Sequence, residues 1–149
     1  MATVKRFEDL EVWQQARKLA TAIYQLTSNG TIVKDYELVK QMNRSVGSIM
    51  DNIAEGFDRG GKREFIQFLA IARGSCAELK SQLYRALDRK HIGEEIMKQA
   101  YEQIEAITRM ISGLIKYLNN SNIKGNKYQD QKTYKEQKTG NKKPETPNY

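Results

Sequence analysis

No proline interrupts the first 143 residues of this chain; the two it has, Pro144 and Pro147, stand near its end. Proline inside a helix removes a hydrogen bond and clashes with the preceding turn, so its absence leaves room for long uninterrupted helices. The sequence uses that room. Four stretches carry apolar residues at alternating spacings of three and four, the mark of a helix with one buried face.

The first runs from about residue 9 to 27, with Val12, Ala16, Leu19, Ile23 and Leu26 on one face. Ser28, Asn29 and Gly30 follow as a stop, Gly30 suiting the left-handed position after a last helical turn. The second spans about residues 34 to 55 through Val39, Met42, Val46, Ile49 and Ile53, with Gly56 at the expected C-terminal cap and Gly60-Gly61 as the turn. The third, about 62 to 90, is the most regular: Phe65, Leu69, Ala72, Cys76, Leu79, Leu83 and Ala86. A break at His91-Ile92-Gly93 precedes the fourth, about 94 to 118, through Ala100, Ile104, Ile107, Ile111, Leu114 and Leu118. Nothing in this body alternates at period two for long enough to make a strand. Four amphipathic helices on short connections predict an all-α, antiparallel up-and-down four-helix bundle over residues 1–118.

Residues 119–149 differ in kind. The segment NNSNIKGNKYQDQKTYKEQKTGNKKPETPNY is rich in Asn, Gln, Lys and Thr and nearly free of aliphatic side chains. Such a segment buries too little surface to offset its ordering entropy, which predicts a disordered basic C-terminal tail. Its seven lysines less Asp130, Glu136 and Glu145 give +4 of the chain's net +7, leaving +3 for the body. That surplus points to an anionic partner.

Several function classes are disfavoured on composition. No apolar run approaches the roughly 20 residues of a membrane span, and the N-terminus lacks the apolar core of a signal peptide, so a cytoplasmic protein without membrane attachment is expected. One cysteine, Cys76, and one histidine, His91, make neither an intrachain disulfide nor a Cys/His metal site. Cys76 falls on an apolar repeat and reads as a small core residue. His91 reads as a loop residue or a partner for a helix C-terminus. Trp13 reads as a core or subunit contact rather than a base-stacking platform, and Phe65 and Phe68 as packing residues.

The stretch RSVGSIMDNIAEGFDRG (residues 44–60) is the least ordinary part of the chain. Arg44, Ser48, Asn52, Glu55 and Arg59 form a polar stripe at helical spacing beside Ile49 and Ile53. With the turn centred near residue 60, facing residues of the second and third helices have numbers summing to about 120. This sets Gly47 and Ser48 against Ala72, Arg73 and Gly74, and predicts close helix packing at Gly47 and Gly74. Arg44 falls within reach of Glu78, and Glu55 and Arg59 are spaced to pair. Ser75, Glu78 and Gln82 form a matching strip on the third helix. A structural polar seam (Arg44, Ser48, Asn52, Glu55, Arg59, Ser75, Glu78) is expected in preference to a catalytic site, since no nucleophile with a base beside it accompanies the carboxylates. No catalytic, metal-binding or cofactor-binding residue is assigned, and the chain is read as no enzyme.

FEDLEVWQQARKLATAIYQLT, YELVKQMNRSVGSIMDNIAEGF and REFIQFLAIARGSCAELKSQL, taken in order, resemble the family of 23S rRNA intervening-sequence proteins. The resemblance covers roughly residues 7 to 118 and lies in three ordered motifs: L-x-V-W-x-x-A, R-S-x-x-S-I-x-x-N-I-A-E-G, and F-x-x-F-L-x-x-A-x-G-S-x-x-E-L. It implies a bacterial four-helix bundle assembling as a homopentamer, with no enzymatic activity and therefore no catalytic residues to carry over. It also implies kinship with accessory proteins of diversity-generating retroelements, which bind a reverse transcriptase and its RNA. The long basic tail departs from the compact members.

Together these point to a non-catalytic oligomeric nucleic-acid-binding protein, with RNA as the expected ligand. The assigned contacts are Lys62, Arg63, Arg73, Lys80, Arg85, Arg89 and Lys90 on the body and Lys124, Lys127 and Lys132 in the tail. The alternative is a protein-interaction scaffold, for example an accessory subunit of a reverse transcriptase.

Overall fold

The computed structural model describes residues 3–121. They form α1 (Glu11–Thr27), α2 (Tyr36–Asp58), α3 (Lys62–Asp88) and α4 (Glu94–Asn119), with short 3-10 turns at Phe7–Asp9 and Thr31–Lys34. No strand occurs among the described residues. The expectation of disorder after residue 119 falls almost wholly outside them.

The three-four spacing acts as expected except at Leu26 and Val39, which are only partly buried while their neighbours Thr27 and Leu38 are buried. Ala16, Leu19 and Ile23 of α1, Met42, Ile49 and Ile53 of α2, Phe65 to Leu83 at core positions of α3, and Ile104, Ile107 and Ile111 of α4 share one buried core. Leu10, Ile32 and Ile92, from the segments before α1, α2 and α4, close its ends. Side-chain contacts establish the antiparallel order. Asn43 of α2 donates to Thr27 of α1 (3.0 Å), Ser48 of α2 meets Ser75 of α3, and Arg73 of α3 reaches Ser112 of α4 (3.2 Å). This is the four-helix bundle the periodicity predicts.

Two details differ from the sequence reading. α2 does not stop at Gly56 but continues to Asp58, and the chain reverses at Gly60, whose φ of 88° favours glycine. Gly56 is buried instead: a Cβ there would lie 2.6 Å from Phe68 Cβ and 3.1 Å from Phe65 Cδ1. The close approach expected at Gly47 and Gly74 therefore occurs at Gly56. At Gly47 and Gly74 an added Cβ would meet nothing within 4 Å. The physical reason is azimuth. Gly74 lies two residues from both Ala72 and Cys76, so at 100° per residue it points about 160° away from each of these core positions. Sharing a level along facing helices does not make two residues face each other.

α3 ends with Lys90 in the left-handed conformation (φ 60°), Lys90 N–H bonded to Leu87 O (2.9 Å) and His91 N–H to Ala86 O (2.9 Å). This is the Schellman pattern, usually completed by glycine. It folds the chain back so that His91 comes to lie against the α1–α2 connection.

Candidate nucleic-acid interface

The polar stripe of α2 resolves into separate parts. Ser48 Oγ and Ser75 Oγ lie 2.8 Å apart, and Asn52 Nδ2 donates to Ser48 Oγ (2.9 Å) and Ser48 O (2.7 Å). Ser75 also reaches Ile71 O at 3.3 Å. This trio is uncharged and ties α2 to α3. Glu55 and Arg59 pair at 2.8 Å on the exposed side, and the Arg59 guanidinium lies 5.3 Å from the centre of the Phe68 ring. Arg44 and Glu78 are both exposed, and no ion pair joins them among the described residues. Gln82, from the matching strip on α3, is buried with its Oε1 unpartnered among the described residues. Among the described residues of the stripe only the Ser48–Ser75–Asn52 trio joins two helices by hydrogen bonds, and the one ion pair, Glu55–Arg59, lies at the C-terminal end of α2 on its exposed side.

The α3 cations do not gather into one patch. Lys62 Nζ donates to Ser121 O (2.9 Å), Arg73 Nη1 to Ser112 Oγ (3.2 Å) and Arg85 Nη2 to Gln41 Oε1 (2.6 Å). These acceptors are neutral, so none of the three is matched by a carboxylate through these bonds. Lys80 pairs with Glu105, and its ammonium holds the Glu105 carboxyl below the usual carboxylate range. Arg89 pairs with Asp35 at 2.9 Å. Arg63 and Lys90 are exposed. Five of the seven body cations assigned from sequence thus lack a carboxylate partner among the described residues. Lys124, Lys127 and Lys132 lie outside those residues.

Sequence reasoning missed the cluster around His91. Its Nδ1 is 2.8 Å from Thr31 Oγ1 and its Nε2 is 2.9 Å from Asp35 Oδ2, the oxygen that also takes Arg89 Nη1. His91 first and Arg89 second hold the Asp35 carboxyl below its ordinary value. Asp35 occupies the N-cap position of α2 but makes no capping bond with its side chain; the carboxylate is turned to this cluster instead. Hydroxyl, imidazole and carboxylate stand in the order of a nucleophilic relay. Here, however, the orienting oxygen is shared with a guanidinium, which weakens its hold on any charge arising on the imidazole. The arrangement clasps two connections together. Asp35 and His91 are 56 residues apart, and only their common place at one end of the bundle links them in sequence.

A groove of about 680 Å³ lies on the outer side of α1, lined by Arg6, Glu8, Trp13, Gln14, Arg17 and Lys18, with Thr21 at its end. Trp13 is half-buried, with Phe7 edge-on at 5.1 Å and the Arg17 guanidinium over its ring at 5.7 Å. Buried Cys76, in contrast, is inert core: desolvation pushes its thiol up, opposed only in part by a hydrogen bond with Thr108.

Residues 8–113 match the family model described as 23S rRNA-intervening sequence protein. Among solved structures, a protein of unknown function from the S23 ribosomal protein family of Bacteroides thetaiotaomicron is similar at 25% identity, with a TM-score of 0.65. The similarity covers 70% of this chain and 98% of that one. No curated protein matches the sequence.

Proposed function

The chain belongs to the 23S rRNA-intervening sequence protein family, and from that premise we propose that it is a non-catalytic RNA-binding protein of the bacterial cytoplasm. The observation that carries this reading is charge left uncompensated. Lys62, Arg63, Arg73, Arg85 and Lys90 have no carboxylate partner among the described residues, and residues 119–149 add seven lysines against three acids. Weak cationic patches gain strength when repeated around an oligomer, because each further contact is intramolecular. The protein accordingly works as a homo-oligomer, five copies being the number the family resemblance implies. A reverse transcriptase client is the competing reading, and a complex that survives nuclease would favour it.

The test is RNA affinity against salt. Binding that neutralises several phosphates of single-stranded RNA falls with a log–log slope of about −0.7 per phosphate. The full chain binds RNA at 50 mM salt, weakens steeply by 200 mM, and binds less tightly once residues 122–149 are removed. Light scattering shows a mass above that of one chain. No binding at low salt, or affinity indifferent to salt, overturns the proposal.

A further inference from the structure

The outer flank of α1 combines features that the α3 cations lack. No aspartate or glutamate occurs between Glu11 and Asp35, so the exposed side of this helix carries Arg17 and Lys18 without an acidic residue of its own beside them. Neither cation has a carboxylate partner among the described residues, whereas Arg6 is already matched by Glu8 at 3.1 Å. Trp13, Arg17, Thr21 and Tyr24 stand at successive steps of four, four and three, and so share one flank of the helix. Tyr24 is 67% exposed. At 1.5 Å per residue, Trp13 and Tyr24 are about 16 Å apart along the axis, room for a short run of unstacked nucleotides between them.

The chemistry at the Trp13 end is a ready-made stack. The indole packs T-shaped against Phe7 and carries the Arg17 guanidinium over its ring, and planar guanidinium groups stack on bases as aromatic rings do. Gln14 is held by its Nε2, which donates to Glu8 O at 2.9 Å, and this leaves its Oε1 as an acceptor inside the groove. Aromatic faces interleaved with unmatched cations suit single-stranded nucleic acid, which offers flat bases and a phosphate at every step. A duplex hides its bases and offers phosphates alone.

We propose that this flank is a single-stranded RNA track, with one base stacked on the Trp13–Arg17 pair, phosphates on Arg17 and Lys18, and a further base on Tyr24. The proposal rests on the RNA-binding reading above and assigns it a place and a strandedness. Trp13 is the only tryptophan of the chain, so its fluorescence reports on the groove directly.

The experiment titrates the full-length protein at low salt with a fluorescein-labelled 12-nucleotide oligouridylate and, separately, with a 12-base-pair RNA duplex. Label anisotropy and Trp13 emission are followed together. The track requires saturable quenching of Trp13 by the oligouridylate and a smaller response to the duplex. R17Q/K18Q lowers the salt slope by about 1.4, and Y24A weakens binding by at least about five-fold. All three positions are exposed, so the variants keep the helical circular dichroism of the parent. Oligouridylate binding seen by anisotropy, with Trp13 silent and both variants unaltered, overturns the track and leaves RNA binding standing. The absence of any anisotropy change overturns both. Trp13 emission that shifts with protein concentration and ignores RNA also overturns the track, because a second copy then covers this flank.

Discussion

Replacing Gly56 by alanine tests how α2 and α3 meet. Alanine in a helix interior is favoured over glycine by about 1 kcal/mol, so an exposed site would gain stability. At Gly56 the new Cβ would lie 2.6 Å from Phe68 Cβ and 3.1 Å from Phe65 Cδ1. Carbon atoms pack best at about 3.5–4.0 Å, and Phe68 Cβ cannot retreat without moving the backbone of α3. Overpacking of this kind costs about 1–3 kcal/mol, so the net change runs from about zero to 2 kcal/mol of destabilisation. At about 4 °C per kcal/mol for a body of this size, Tm falls by up to about 8 °C. Gly47→Ala and Gly74→Ala are the controls, since nothing lies within 4 Å of either new methyl group; each gains up to about 1 kcal/mol. Urea unfolding of the three variants, followed by helical circular dichroism, compares one chemical change at three sites. A Gly56→Ala protein more stable than the parent refutes the close approach. Loss of stability at Gly47 or Gly74 would show that something outside the chain occupies the space beside them.

Two further outcomes follow from titratable groups. The Asp35 pKa is lowered in the fold, so its contribution to stability is complete above its ordinary value of 3.8 and disappears as pH falls through the lower folded value. Asp35→Asn is therefore less stable than the parent at pH 7, and the gap closes in strong acid; a gap that persists there would show that the bond to His91 and Arg89 is not ionic. Cys76 is buried with its pKa raised, so Ellman's reagent at pH 8 labels it slowly in the native protein and at once in guanidinium. Rapid native labelling would place the thiol at the surface.

The bundle was legible because each helix announces its buried face by spacing alone, and spacing survives every detail of packing. Boundaries were legible where a local signal decided them, as at Gly93 before α4. They were not where packing decided, as at Gly56, whose missing side chain serves Phe65 and Phe68 rather than a helix end. The register shows a subtler gap. A sum of 120 set Ser48 against Ala72, but Ser48 meets Ser75. Side chains lean toward the N-terminus of their own helix, so contacting pairs on antiparallel helices lie about two residues beyond the pairs whose backbones are level. Most of the discrepancy is that lean. The cluster at His91 was illegible for another reason: it joins segments whose relation exists only once the bundle has closed, whereas the groove beside Trp13 is local, lined by residues 6 to 21, and only its shape was hidden.

The clasp at His91 bears on how the molecule comes apart. An up-and-down bundle has an obvious line of cleavage between its first and second helical hairpins, and nothing in such a topology forbids one hairpin from opening while the other persists. Thr31 and Asp35 belong to the connection inside the first hairpin, and Arg89 and His91 to the one inside the second. Their bonds latch the two hairpins at the ends where each would begin to fray. The two hairpins therefore cannot part at this end of the bundle without first breaking those bonds.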